Sequence, residues 1–167
     1  MSPTLSPAIV ARVSGLTDEL NDLSEAVLFL INFFDSGMAC NIVEAMHDEL
    51  ERSLHGLGAC LTGSAPGKAE VDPAYILPAS LHELSTIAAE AAPVLVALGS
   101  TKGQPVRLAV DYAASRLNTL GASARFIGET VLEELPPLAS PPVKPDTMTM
   151  GEEAKPAQAE RRQTCTL

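Results

Sequence analysis

The stretch LTDELNDLSEAVLFLINFF, residues 16–34, carries the pattern that decides the fold. Its large apolar residues recur at alternating spacings of four and three, and they are Leu16, Leu20, Leu23, Val27, Leu30 and Phe34. Because an α-helix turns once every 3.6 residues, this spacing draws one apolar stripe along a single face. Thr17 is a suitable N-cap, and Asp18 and Glu19 follow it where the helix dipole favours acidic groups. We therefore predict a helix from about Thr17 to Phe34.

Three further stripes of the same kind follow along the chain. The second predicts a helix over about 38–54, extending slightly beyond, and the fourth predicts one over about 105–135. The third begins at Ser80, where Ser80 and Glu83 have the spacing of a capping box. Pro93 is expected to kink or interrupt that third helix, since proline removes a backbone hydrogen bond and clashes with the preceding turn.

The remaining segments read as connections and ends. Residues 62–79 are predicted to form a loop because of their Gly, Pro and Asp content, and Ser6 with Pro7 has the order of a short helix start. Beyond Glu134 the chain is too polar and proline-rich to offset its chain entropy. The sequence thus predicts an all-α, antiparallel four-helix bundle with a disordered C-terminal tail. The predicted divisions are an N-terminal arm over 1–13, the bundle over 14–135 and a disordered Pro-rich tail over 136–167.

Acidic residues dominate the charge of the chain, which has a formal net charge of −10. Residues 1–51 hold nine acids and a single base, Arg12. Direct binding of nucleic acid requires clustered Lys and Arg, so this balance argues against it and favours a protein partner with a basic surface. Apolar residues make up 46% of the chain, which is enough for a core and for a contact with another protein.

The cysteines and the apolar runs point to a compartment. Cys40, Cys60 and Cys165 have no framework spacing, and the first two lie near opposite ends of the predicted second helix. We read them as reduced thiols of a reducing compartment. The N-terminus lacks the layout of a signal peptide, and the longest apolar run, 26–31, falls short of the ~20 residues that span a bilayer. The expectation is a cytoplasmic protein with no membrane contact.

Glu44-Ala-Met-His47 is the pattern nearest to a metal-binding motif. In carboxylate-bridged bundles such a pair supplies two inward ligands, and a second pair with further carboxylates completes the site. The second pair is missing, and helical periodicity turns Glu44 away from the apolar stripe. His47, Glu51 and His55 share a face that has no enclosing wall. We predict no resident metal and no cofactor, and we keep a metal-binding bundle only as a second alternative.

Catalytic motifs are missing from the sequence as well. It contains no GxSxG elbow and no cysteine with a clear histidine and Asn or Asp companion. The glycines at Gly56 and Gly58 follow a helix rather than a strand and lack the lysine of a phosphate-binding loop. We therefore predict a protein that is not an enzyme and has no catalytic residues.

The end of the first helix is a candidate partner-binding surface. Leu28, Phe29 and Phe33 point away from the main stripe, so the helix is apolar nearly all round at this end. Three explanations remain open: burial beneath another part of the chain, contact with a second copy in a homo-oligomer, and docking of a different protein.

The acidic surface of the first and second helices is the other candidate surface, and its candidate partner-binding residues are Glu44, Asp48 and Glu51. These carboxylates serve either solubility or the capture of a basic partner. The sequence therefore predicts a small acidic accessory protein that acts through protein–protein contacts. The alternative is an acidic inhibitor that imitates a nucleic-acid backbone and blocks a basic nucleic-acid-handling complex, such as a host-defence system.

Overall fold

The computed structural model describes residues 5–34, 37–63 and 72–136, and four helices account for 88% of them. The helices are α1 (Pro7–Ile31), α2 (Met38–Thr62), α3 (Pro73–Gly99) and α4 (Gln104–Glu134). In these ranges no strand occurs, and no contact joins α1 to α3 or α2 to α4. Each helix therefore packs against two neighbours in a ring. The predicted all-α four-helix bundle is confirmed, whereas the predicted tail, apart from Pro136, lies outside the described residues.

An aliphatic core holds the four helices together. Each helix contributes a leucine that is completely buried: Leu20, Leu50, Leu84 and Leu117. Removing such a side chain from water contributes roughly 1.5–3 kcal/mol. All six stripe residues between Leu16 and Phe34 are buried, as their spacing predicts. The one buried polar side chain in the described part of the chain is that of Ser24.

The start of α1 lies further upstream than the sequence predicted. The Ser6 hydroxyl accepts a hydrogen bond from the Ile9 N–H at 3.4 Å and caps the helix ahead of Pro7. Thr17, the predicted cap, is a mid-helix residue whose hydroxyl donates to a carbonyl in the preceding turn at 2.6 Å. Ile9 and Val13 carry the apolar stripe upstream and are buried. The helix start predicted at Ser6 and Pro7 is confirmed, and residues 7–13 continue into α1 and do not form a separate arm.

The start of α3 is displaced in the same direction. An Asp72 carboxylate oxygen accepts a hydrogen bond from the Ala74 N–H at 3.0 Å, and the helix begins at the following proline. Ser80 lies inside the helix, where its hydroxyl donates to the Ile76 carbonyl at 3.4 Å. The predicted loop is therefore wrong over 73–79, while its residues 64–71 lie outside the described residues. The capping box is wrong as the start of the helix. Leu77 is fully buried, and its packing extends the helix toward the N-terminus.

Internal proline and glycine residues do not end the helices. α3 continues through Pro93, which is exposed, to Gly99, so Pro93 does not interrupt the helix, and the kink stays a prediction. α2 continues through Gly56 to Thr62 and ends at Gly63, whose φ of +68° is the left-handed conformation typical of a C-terminal glycine. The free energy gained by packing along these helices outweighs the low helix propensity of proline and glycine.

The α3–α4 pair is closely packed because small residues face each other. A Cβ placed on Gly121 would lie 3.0 Å from the Ala88 Cβ, and one on Gly99 would lie 2.7 Å from Val110 Cγ1. Both distances are shorter than ordinary van der Waals contact. The two contacts run in opposite directions along the helices, so α3 and α4 are antiparallel.

α3 also has the length and composition of a membrane-spanning helix. A window within Ala74–Gly99 has a mean hydropathy of 1.3, and 33% of that window is buried. The sequence prediction of no membrane contact depended on unbroken apolar runs, which charged residues such as Glu83 and Glu90 interrupt. In the bundle, α3 lies between α2 and α4 and buries four leucines completely. A core helix satisfies the same criterion, and localisation remains a prediction.

Candidate protein-binding surfaces

The apolar end of α1 is exposed. Leu28 is 49% exposed, Phe29 60% and Phe33 39%. The rings of Phe29 and Phe33 pack edge to face, with their centroids 5.1 Å apart and their planes at 69°. No described part of the chain covers these side chains, and residues 64–71 of the predicted loop lie outside the described residues, so burial beneath another part of the chain stays a prediction. Contact with a second copy and docking of a different protein remain open as well.

Most aromatic side chains of this protein lie outside its core. The chain has four Phe and two Tyr, and Phe34 alone among these six is buried. Phe29, Phe33, Tyr112 and Phe126 are exposed. Aromatic residues dominate core and interface energetics because each buries a large area. With one aromatic side chain in the core and four on the surface, the exposed aromatic residues are the first candidates for a binding surface.

Two contacts align α1 with α4. The Arg12 guanidinium lies 5.7 Å from the centre of the Phe126 ring, and Ala26 lines the same groove as Tyr112. The contact nearer the start of α1 therefore lies nearer the end of α4. The two helices are antiparallel, and residues at the same height along them can be paired.

This alignment brings four exposed apolar residues, two near the end of α1 and two near the start of α4, to one end of one face. Phe29 and Phe33 follow Ala26 by three and seven residues, which keeps them on the α4 side of α1. Leu108, 61% exposed, precedes Tyr112 by one turn of α4. Since the helices are antiparallel, both pairs lie at the same end. We call the outer surface of α1 and α4 the aromatic face; its apolar residues are Phe29, Phe33, Leu108, Tyr112 and Phe126.

Leu28 does not belong to this face. It follows Ser24 by one turn, and the Ser24 hydroxyl contacts Glu51 of α2. Leu28 therefore lies on the side of α1 that faces α2. The structure brings Phe29 and Phe33 together and separates them from Leu28.

Sequence reasoning missed the α4 half of the aromatic face. Leu108, Tyr112 and Phe126 are 61%, 60% and 59% exposed. A signal was present, because all three residues fall off the apolar stripe of α4, as Phe29 and Phe33 fall off that of α1. Their grouping required the relative alignment of α1 and α4, which no single helix contains.

Charged side chains flank the aromatic residues. Arg12 lies over Phe126, and Arg116 Nη1 is 3.4 Å from the Tyr112 hydroxyl, to which it donates. Exposed carboxylates occupy the outer side of α1 between these positions, among them Asp18 and Asp22. Arginine and aromatic residues are enriched where proteins bind one another. The face thus combines apolar anchors with charges of both signs.

The acidic residues predicted on α2 have different environments. Glu44 is exposed, and the side chain of Asp48 is 75% exposed. The side chain of Glu51 is 36% exposed and turns toward α1. Glu44 and Asp48 are therefore available to a partner, whereas Glu51 has contacts within the bundle.

Glu51 holds a polar contact at the α1–α2 interface. Its Oε1 accepts a hydrogen bond from the fully buried Ser24 hydroxyl at 2.8 Å. His47 Nε2 and His55 Nδ1 each lie 3.9 Å from a Glu51 carboxylate oxygen. A buried hydroxyl without a partner costs about 1–3 kcal/mol, so this carboxylate stabilises the packing of α1 on α2.

The structure shows no metal-binding geometry in the described ranges. No group of three or more His, Cys, Asp or Glu side chains there is placed to hold an ion. Glu44 accepts a weak hydrogen bond from the Cys40 thiol, with 3.6 Å between Sγ and Oε1, and does not face His47 in the bundle interior. Cys40 and Cys60 are free thiols. Desolvation raises the pKa of both, and Glu44 raises the pKa of Cys40 further.

Two further open grooves lie between pairs of neighbouring helices. The larger, about 580 Å³, lies between α3 and α4, where Arg125 Nε and Glu129 Oε1 pair at 3.0 Å, as their spacing predicts. The other, about 390 Å³, lies between α2 and α3; its lining includes apolar residues such as Met46 and Ile87, together with the carboxylate residues Glu49 and Glu90. The larger groove is also lined by His82, Ser85 and Thr86, and the Thr86 hydroxyl donates to the His82 backbone carbonyl at 3.1 Å.

Comparisons with protein-family models, curated proteins and solved structures found no match to this chain.

Proposed function

We propose that this protein is a small acidic accessory protein that binds other protein chains through its aromatic face and carries out no catalysis. One observation carries the proposal: four of the six aromatic side chains are exposed, and all four lie on the outer surface of α1 and α4.

Covering these side chains with a partner gains burial free energy that the isolated bundle does not. Fully burying a Phe side chain contributes roughly 1.5–3 kcal/mol, and Phe29, Tyr112 and Phe126 realise only part of it in the isolated bundle. A partner that covers the face supplies the rest. Arg12 and Arg116 beside the rings add side chains of the type that dominates binding energy in interfaces.

The alternative, an acidic inhibitor of a basic nucleic-acid-handling complex, has its own supporting observation. α1 and α2 each carry four acids and one base, and Asp18, Asp22, Glu44 and Asp48 are exposed. Such a surface attracts a basic groove. The matching test is the reversal Glu44→Lys with Asp48→Lys. It leaves Glu51 in place, since Glu51 supports the bundle. Retained capture of a basic partner by this variant would rule the alternative out.

Affinity capture from the source cells tests the main proposal. The bait is the full chain with Phe29→Ser and Tyr112→Ser, compared with the wild type after nuclease treatment. The control bait is Met38→Ser, because Met38 is 79% exposed and belongs to α2 rather than to the aromatic face. We expect the captured proteins to be lost with the face variant and kept with the control. Equal capture by all three baits would contradict the proposal.

A further inference from the structure

The aromatic face has the size of a specific protein–protein interface. α1 has 25 residues, which at 1.5 Å per residue gives a length of about 37 Å. Two helices packed side by side at about 9–10 Å present a strip roughly 20 Å wide. The product is on the order of 700 Å², close to the ~800 Å² that each partner contributes to an interface of standard size.

The charges of the face are arranged so that it complements itself. Asp22 of α1 and Arg116 of α4 line the same groove and so lie at the same height along the bundle. Asp18, Asp22 and Glu25 are exposed on α1, whereas Arg116 lies on α4 beside Tyr112. The α1 side of the groove is therefore acidic, and the α4 side carries a cation at the level of Asp22.

The symmetry of a dimer decides which edges meet. A two-fold axis parallel to the helices places α1 of one copy on α4 of the other at unchanged height. Asp22 then faces Arg116 of the second copy, and Phe29 reaches the level of Leu108 and Tyr112. A two-fold axis across the helices instead stacks α1 on α1 and brings the acidic stretch against itself, which like-charge repulsion opposes.

We propose that the aromatic face binds a second copy of this chain, in a symmetric dimer in which α1 of each copy packs on α4 of the other. This inference depends on the proposed function, because it names the partner of the same face. The four exposed aromatic side chains lie toward the two ends of the interface, and the charged residues lie between them. The Asp22–Arg116 pair, formed twice, fixes the alignment of the two copies.

Charge-swapped variants of the full chain test both the partner and the arrangement. One variant carries Asp22→Arg and the other Arg116→Asp. In the proposed dimer, each variant alone places like charges together at two positions, whereas the mixed dimer has two attractive pairs. Sedimentation equilibrium of each variant and of their equimolar mixture measures the dissociation constants.

We expect wild-type protein to sediment as a dimer that dissociates on dilution. Each variant alone is expected to dimerise at least about tenfold more weakly, and the mixture is expected to regain the wild-type affinity. Tyr112→Asp, at a side chain that is 60% exposed, is expected to remain folded by circular dichroism and to be monomeric. This third variant keeps the test decisive if Arg116→Asp disturbs the contact with the Tyr112 hydroxyl.

Two results would overturn the inference. Wild-type protein that is monomeric at every concentration excludes the second copy as the partner. A dimer that neither variant weakens, and that mixing does not change, excludes the proposed arrangement. The capture experiment decides the fate of the proposed function separately: face-dependent capture of a different protein leaves the binding function intact even when the chain is monomeric.

Discussion

At the scale of single residues, Ser24 and Glu51 show how the bundle uses an acidic side chain for its own packing. The Ser24 hydroxyl is completely buried and donates to Glu51 at 2.8 Å. The sequence marks Glu51 only as one acid among several on α2, because its partner is 27 residues away on another helix. A carboxylate that the sequence pattern places on the surface is therefore part of the α1–α2 interface.

Replacing Glu51 by alanine is expected to lower the free energy of unfolding by about 1–2 kcal/mol, because the buried Ser24 hydroxyl loses its acceptor. Asp48→Ala, one turn away and exposed, is the control and is expected to change stability by less than about 0.5 kcal/mol. Urea unfolding followed by circular dichroism measures both. Equal stability of the two variants would mean that the Ser24–Glu51 contact contributes nothing.

At the scale of helices, two substitutions distinguish Asp72 from Ser80 as the N-cap of α3. Asp72→Ala is expected to cost about 1 kcal/mol, since the Ala74 N–H loses its acceptor. Ser80→Ala is expected to cost less, because Ser80 lies inside the helix and alanine has the higher helix propensity. Thermal unfolding of the two variants measures the difference. The reverse order would return the start of α3 to the capping box at Ser80.

The close packing of α3 on α4 gives a second prediction at this scale. Gly99→Ala is expected to destabilise the protein by about 1–3 kcal/mol, because the added Cβ would lie 2.7 Å from Val110 Cγ1. Gly56→Ala, where a Cβ meets no atom within 4 Å, is expected to stabilise it by about 0.5–1 kcal/mol. Chemical denaturation distinguishes the two. A stabilising Gly99→Ala would show that the helices are further apart at this point.

At the scale of the whole molecule, the sequence predicts the four helices, because the burial of apolar stripes determines them. It does not predict the aromatic face, because that face depends on the alignment of α1 with α4. Stripes such as that of Leu20 and Val27 identify the four helices, because aliphatic burial is the largest stabilising term. Helix starts were displaced because several cap patterns compete, and the buried Ile9 and Leu77 select the outer ones. The aromatic face required the antiparallel alignment of α1 and α4, which arises only when the bundle assembles.

The central claim is that the aromatic face is covered when the protein acts, and hydroxyl-radical footprinting of the full chain tests it most directly. Oxidation of Phe29 and Tyr112 is measured by mass spectrometry in dilute protein, in concentrated protein and after addition of source-cell extract. Met38 is the internal reference, because it is highly exposed and lies outside the face. We expect Phe29 and Tyr112 to be protected at high concentration or by the extract, while Met38 is oxidised at a constant rate. Oxidation rates of Phe29 and Tyr112, relative to Met38, that are the same under all three conditions would contradict the account.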